Sequence, residues 1–151
     1  MKPKPIPEGY HTLTPYLIVK GAARALDYYA QAFGAKELFR FPQPDGRIGH
    51  AEMEIGDSKF MLADEFPERD IRAPLGPPPV SMAVYTEDCD AMFNRAIAAG
   101  GKVVRPIANQ FYGDRTGVLA DPFGHQWSIA THVEDVPPEE MQRRMKEQKG
   151  Q

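Results

Sequence analysis

Three ionisable residues in the stretch IGHAEMEIGD (48–57) are spaced so that they could do chemistry together. His50, Glu52 and Glu54 alternate with Ala51, Met53 and Ile55. That is the period-two pattern of a strand with one polar and one apolar face. An imidazole takes up or gives up a proton near neutral pH, and a neighbouring carboxylate can orient the ring. SKFMLAD (58–64) reads as the second strand of a hairpin turned through Gly56-Asp57, which sets Asp64 on the strand beside His50. His50 and Asp64 are therefore the candidate acid–base pair, with Glu52 a candidate ligand contact. A solvated strand face is the plain alternative, and a metal held by His50, Glu52 and Asp64 is a third reading.

The remaining reactive residue types are less suggestive. Cys89 opens a helix, where the dipole can lower a thiol pKa, but nothing beside it completes a nucleophile, and it reads as a packing residue. His11, His125 and His132 fall at a strand edge, a turn and a strand end, and read as surface or rim positions. FYGDRTGVLADPFGHQW (111–127) is mostly hairpin: Gly113, Gly117 and Gly124 suit turns or close approaches, and Asp121-Pro122 starts a tight turn. Phe111, Tyr112 and Arg115 are not demanded by the turn and are candidates for the rim of a binding site.

The elements that must position these residues follow from periodicity. Strands are expected at 11–19, 36–41, 48–57, 58–64, 80–86, 102–107, 113–121 and 125–132. Helices are expected over 21–34, closed by Gly34, over 88–101, with Asp88 at its start, and over 137–148. EFPERDIRAPLGPPP (65–79) holds five prolines and reads as a loop between two modules. Turn signals recur across it: Gly34-Ala35-Lys36 matches Gly100-Gly101-Lys102, and Gly56-Asp57 matches Gly124-His125, at offsets of 66 to 68 residues. A fixed offset predicts an internal duplication of a βαβββ unit. The expected division is 1–10 extension, 11–64 first module, 65–79 linker, 80–132 second module and 133–151 tail.

Bulk properties narrow the function classes. A length of 151 residues and 42% apolar content suit one core, and a net charge of −3 without a basic run argues against nucleic acid. One cysteine forms no internal disulfide and no zinc cluster. No stretch is apolar enough for a signal peptide or a membrane span, so the expectation is a cytoplasmic protein without a membrane partner.

The tandem βαβββ pattern, with ARALDYYAQAFGAKE as first helix and VLADPFGHQWSI as final hairpin, resembles the vicinal-oxygen-chelate superfamily. That superfamily contains glyoxalases, bleomycin-resistance proteins and extradiol dioxygenases. IGHAEMEIGDSKFMLAD is most similar to its PhnB-like subgroup. The resemblance covers roughly residues 11–132 and implies an α+β fold whose curled mixed sheets surround a cavity, helices outside. It also implies a homodimer. Metal-using members take ligands from the first and last strand of each module, and those positions fall at Thr14, Phe60, Ser81 and Ser128. None is His or Glu, so no metal or other cofactor is expected.

If those positions face the cavity, period two adds Tyr16, Leu62, Asp64 and Tyr85. The resulting expectation is a metal-free protein binding a small molecule through Thr14, Tyr16, Glu52, Phe60, Ser81, Tyr85, Tyr112, Arg115 and Ser128. The alternative is a lyase- or isomerase-type enzyme using His50 and Asp64 or a displaced metal. A third possibility is a fold used mainly for dimer contacts.

Overall fold

The computed structural model describes residues 2–150. Its elements run β1 (Tyr16–Val19), α1 (Ala22–Phe33), β2 (Lys36–Pro42), β3 (Ile48–Ile55), β4 (Ser58–Asp64), β5 (Met82–Tyr85), α2 (Cys89–Ala98), β6 (Lys102–Asn109), β7 (Asp114–Ala120), β8 (Gln126–His132) and α3 (Pro138–Lys149). A single 3-10 turn, Pro67–Arg69, interrupts the proline-rich connection. Two four-stranded mixed sheets result, ordered β1-β4-β3-β2 and β5-β8-β7-β6. In each, the first strand pairs in parallel with the fourth and all other pairs are antiparallel. The fold is α+β, and neither sheet closes on itself. The first strand is shorter than its apolar pattern suggests: regular pairing begins at Tyr16, after Pro15, which has no N–H to give a ladder.

α1 forms because Ala22, Ala25, Leu26, Tyr29, Ala32 and Phe33 recur at helical spacing, and all are buried. Gly34 ends it at φ 66°, a left-handed conformation in which its N–H returns to the Ala30 carbonyl. α2 is capped by Asp88, whose carboxylate accepts from the Ala91 N–H at 3.0 Å. α1 and α2 each cover one face of their own sheet and also pack on each other, with the Tyr28 hydroxyl donating to the Ala96 carbonyl at 2.9 Å.

The core therefore runs through the junction between modules. Phe60 of β4 and Trp127 of β8 meet edge to face there, with Phe33 and Tyr29 around the indole. Trp127, Tyr29, Leu26, Met53, Leu62, Leu119 and Ile129 have lost essentially all contact with solvent. Side chains of this size contribute about 1.5–3 kcal/mol each when fully buried. Asp121 binds the same junction together. One carboxylate oxygen accepts from the Phe123 and His125 N–H groups, and the other accepts from the Tyr29 hydroxyl (2.6 Å) and the Trp127 indole (2.9 Å). His125 is buried here, its ring bonded to the Ile18 carbonyl at 2.9 Å, and so is a core residue where the turn pattern suggested surface.

The face of each sheet opposite its helix carries the polar and half-exposed side chains. The C-terminal α3 is tied down beside the second sheet by Arg144, which donates to the Phe111 carbonyl and pairs with Glu134. Among the described residues no helix is long and apolar enough to cross a membrane.

Candidate functional site

The sheet registers decide which sequence-predicted residues meet. Ala51 pairs with Leu62 and Met53 with Phe60, so Phe60, Leu62 and Asp64 share the helix-covered face with Ala51 and Met53. His50, Glu52 and Glu54 point to the opposite face, where their row continues into Met61 and Lys59 of β4. Phe60 and Asp64 are therefore not on the polar face, and His50 and Asp64 do not form a pair.

Asp64 has a different task. One oxygen accepts from the Gly21 and Ala22 N–H groups, both at 2.8 Å, and the other from the Ile48 N–H at 2.7 Å. Gly21 precedes α1 and has no side chain with which to cap it, so β4 supplies the missing acceptor. Asp64 is a structural cap, 8% exposed. The metal set of His50, Glu52 and Asp64 is likewise not assembled.

His50 finds other partners, and two of them were already candidates. Its Nδ1 lies 2.7 Å from the Tyr16 hydroxyl, and its Nε2 lies 3.0 Å from a Glu52 carboxylate oxygen. Tyr16, on β1, reaches His50, on β3, over Met61 of the intervening β4. Tyr16 pairs with Met61, Met61 with Glu52 and Glu52 with Phe39 of β2, which makes one row across all four strands. Phe39 and Phe41 extend the row as aromatic neighbours, with the Phe39 ring 5.6 Å from the His50 ring. Tyr16, Phe39 and Phe41 are 47%, 40% and 63% exposed, so the row is open to a ligand. Burial holds the Tyr16 hydroxyl above its ordinary pKa, so it remains a phenol at neutral pH.

Phe39, Phe41 and Met61 were not singled out from the sequence. KELFRFP reads only as an apolar strand, and a register shift between Glu37 and Phe39 sets which side chains face the open side.

The corresponding row of the second sheet is plain: Ala83, Ser128, Val118 and Arg105 are its register partners. Ser128 does lie on this open side, 3.1 Å from the Thr116 hydroxyl. At the end of the same sheet, Tyr85 donates to Asp114 (2.7 Å), and His132 bridges Asp114 (2.8 Å) and Asp135 (2.7 Å). Hydrogen bonds to the Asp135 and Asp114 carboxylates raise the His132 pKa, and the bond to Asp114 raises that of Tyr85. Burial pushes Asp114 upward, but the bonds from His132 and Tyr85 outweigh it and its pKa is lowered. Tyr112 is half-exposed, stacked edge to face on Phe111 and close enough to Tyr85 to act on its charge. Asp114 was not singled out from the sequence, since its pairing with His132, read there as a rim position, depends on the β7–β8 register.

Arg115 does not join them. It sits on the helix side of β7, where its guanidinium grips both carboxylate oxygens of Asp90 on α2 at 2.8 and 2.9 Å. Cys89, buried beside it, packs with its thiol toward the Arg115 carbonyl.

Between the two modules lies a cleft of about 540 Å³. Thr14, Ser81 and Tyr85 line it, and Phe60 and Trp127 contribute from the junction. The register also revises the position expected to hold a metal ligand. Leu62 pairs with Ala51 and Leu17, as Ile129 pairs with Gly117 and Val84, so Ser128 corresponds to Met61 and not to Phe60. The slip arises in the hairpin. Glu54 pairs with Lys59, but Ala120 pairs with Gln126, and the one-residue longer loop displaces the turn glycine. The set becomes Thr14, Met61, Ser81 and Ser128, three neutral oxygens or hydroxyls and a thioether at best. These donors do not fit a hard or borderline divalent cation. Among the described residues no three His, Cys, Asp or Glu are grouped so as to hold a metal.

Residues 10–129 match the model of the Glyoxalase/Bleomycin resistance protein/Dioxygenase superfamily. The chain belongs to this superfamily. It is 43% identical over 141 residues to an uncharacterized protein of Mycobacterium bovis, covering 90% of this chain and 93% of that one. A Mycobacterium tuberculosis protein, also uncharacterized, is 43% identical over 141 residues, with 90% and 83% covered. Among solved members of the fold, TioX from Micromonospora sp. ML1 superposes with a TM-score of 0.66 at 27% identity, over 82% of this chain and 99% of that one. A PhnB protein from Bacillus cereus, described as a putative 3-demethylubiquinone-9 3-methyltransferase, gives 0.64 at 18% identity, over 80% and 99%; at that identity the likeness is of fold. The superfamily's tandem arrangement is thus present here, with an atypical set of side chains where metal-using members carry ligands.

Proposed function

We propose that this protein binds a small molecule on the open face of its first sheet without using a metal. The observation that carries the reading is the row Tyr16–Met61–Glu52–Phe39, with His50 and Phe41 beside it. It combines exposed rings with a hydrogen-bonded polar centre, the composition of a ligand site more than of a solvated strand. The donor set Thr14, Met61, Ser81 and Ser128 supports metal independence. Thr14, Ser81 and Tyr85 in the cleft, Ser128 on β8 and Tyr112 in the turn before β7 are further ligand contacts in this reading. Phe60 contributes through the cleft's packing.

A homodimer belongs to the same proposal. Val103 and Val104 on β6 are exposed apolar residues on an edge strand, which a second copy covers while β2 stays free for the ligand. Action in the cytoplasm is part of it as well.

One observation favours a second reading, an enzyme of acid–base type. The chain Glu52–His50–Tyr16 has the carboxylate–imidazole–hydroxyl order used to move protons. Here Glu52 takes the orienting role that the sequence suggested for Asp64.

The test is metal reconstitution followed by elemental analysis and a binding titration. Incubation with zinc, nickel, iron(II) or manganese and subsequent dialysis should leave metal well short of one per chain. A mixture of small aromatic probes should perturb the NMR signals of His50 and Phe39. One tightly held metal per chain, or no perturbation by any probe, refutes the proposal.

A further inference from the structure

The geometry points to a ligand class for this face: we infer that it selects flat aromatic molecules bearing an N–H donor, best a cationic one, and rejects aromatic carboxylates. The inference rests on the small-molecule reading above and adds the hydrogen-bond polarity of the site.

The polarity is set by Glu52. A carboxylate only accepts hydrogen bonds, so the His50 Nε2 that faces it at 3.0 Å carries the proton. A neutral imidazole has one proton, which leaves Nδ1 as a bare acceptor. The group facing Nδ1 at 2.7 Å is the Tyr16 hydroxyl, which must then donate. With its proton committed to His50, the Tyr16 oxygen offers an approaching ligand only lone pairs. Glu52 is 16% exposed at its side chain, and its free carboxylate capacity faces the same row. Glu54 lies on the same strand face, two residues further on.

On the Tyr16–Met61–Glu52–Phe39 row every polar atom turned toward a ligand is thus an acceptor, while the Lys59 ammonium, cross-strand from Glu54, is drawn over the Tyr10 ring at 5.0 Å. The apolar atoms are the rings of Phe39, Phe41 and Tyr16 and the thioether of Met61, a surface suited to a flat ring. A cation held over those rings gains from their negative faces as well. An aromatic carboxylate would bring acceptors to acceptors and a negative charge to Glu52 and Glu54.

Benzamidine and benzoate are the probes, because they share a ring and a planar substituent and differ in hydrogen-bond polarity and charge. Full-length protein labelled with ¹⁵N is titrated with each, with the His50 ring signals assigned through His50→Gln. In the free protein at mildly alkaline pH, the His50 ring should carry its proton on Nε2. Benzamidine should shift the His50 and Phe39 signals and bind at least about tenfold more tightly than benzoate, the scale of one hydrogen bond to a charged partner. Tyr16→Phe removes the accepting oxygen while keeping the ring, and should cut that preference severalfold.

A proton found on Nδ1 overturns the inference, as does benzoate binding as tightly as benzamidine, or a preference unchanged in Tyr16→Phe. Each of these leaves the small-molecule reading standing. If neither probe perturbs the row, while the same probes shift no other site, the underlying reading fails and the inference with it.

Discussion

Asp121 offers the most stringent test of how the two modules are joined. Replacing it with Ala strips the acceptor from two buried side-chain donors, the Tyr29 hydroxyl and the Trp127 indole N–H, and from two turn N–H groups. Each buried donor left unsatisfied costs about 1–3 kcal/mol. The two side-chain donors alone thus cost about 4 kcal/mol, and for a chain of this size that lowers Tm by roughly 8–16 °C. Asp121→Asn separates hydrogen-bond polarity from shape. Its oxygen still accepts from the turn, and the Tyr29 hydroxyl can rotate to accept from the new amide. The Trp127 N–H then faces another donor, and the expected loss is about 1–3 kcal/mol. Burial, reinforced by Asp121, holds the Tyr29 pKa well above its ordinary value, so this hydroxyl does not ionise to escape the conflict. Calorimetry on wild type, Asp121→Asn, Asp121→Ala and Tyr29→Phe, with the Asp121→Ala/Tyr29→Phe double variant closing the cycle, measures the coupling. An Asp121→Ala protein melting within a couple of degrees of wild type would refute the reasoning.

Three further outcomes are expected. Asp64→Ala should destabilise the fold by about 1–3 kcal/mol, because the α1 N-terminus and the Ile48 N–H lose their acceptor, yet leave probe binding at His50 intact; lost binding in a still-folded protein would return Asp64 to the site. Gly113→Ala should loosen the C-terminal segment, since φ is +101° and a Cβ would overlap the Glu134 carbonyl oxygen; limited proteolysis should cut the 133–150 region faster, and unchanged cleavage would count against this. His132 has a folded-state pKa raised above 6.5 by Asp135 and Asp114. Its stabilising contribution is therefore fully present below the unfolded pKa and is lost as pH rises through the raised one. NMR titration should place His132 above 6.5 and show Asp135→Asn lowering it; the stability difference between wild type and His132→Gln should shrink on the alkaline side.

Local regularities were legible in the sequence, and registers were not. The periodicity of GAARALDYYAQAFG and the alternation of HAEMEI identify α1 and the two faces of β3, because each pattern is written within one element. The phase of β4 could not be read the same way. Matching Gly56 to Gly124 assumes equal hairpin loops, and one additional residue in the second loop exchanges the faces of Phe60 and Met61. The Tyr16–His50 contact needs the strand order β1-β4-β3, a non-local property with no signature in either segment. Asp121 looked like turn chemistry because its backbone bonds are turn chemistry; the side-chain bonds to Tyr29 and Trp127 arise only once the modules pack. Asp64 looked like a catalytic carboxylate for a related reason, since the helix end that it caps lies 42 residues away in sequence.

The additional residue in the β7–β8 loop bears on how the chain folds. The loop carries a carboxylate whose outer donor, Tyr29, belongs to the other repeat, so the buried Tyr29 hydroxyl depends on the second repeat for its acceptor. A chain severed within 65–79 would yield one fragment with the Tyr29 hydroxyl lacking its acceptor and another with Asp121 lacking one of its four donors, each exposing half of the Phe60–Trp127 contact. The two βαβββ units thereby share one core, in which loss of either half withdraws buried partners from the other.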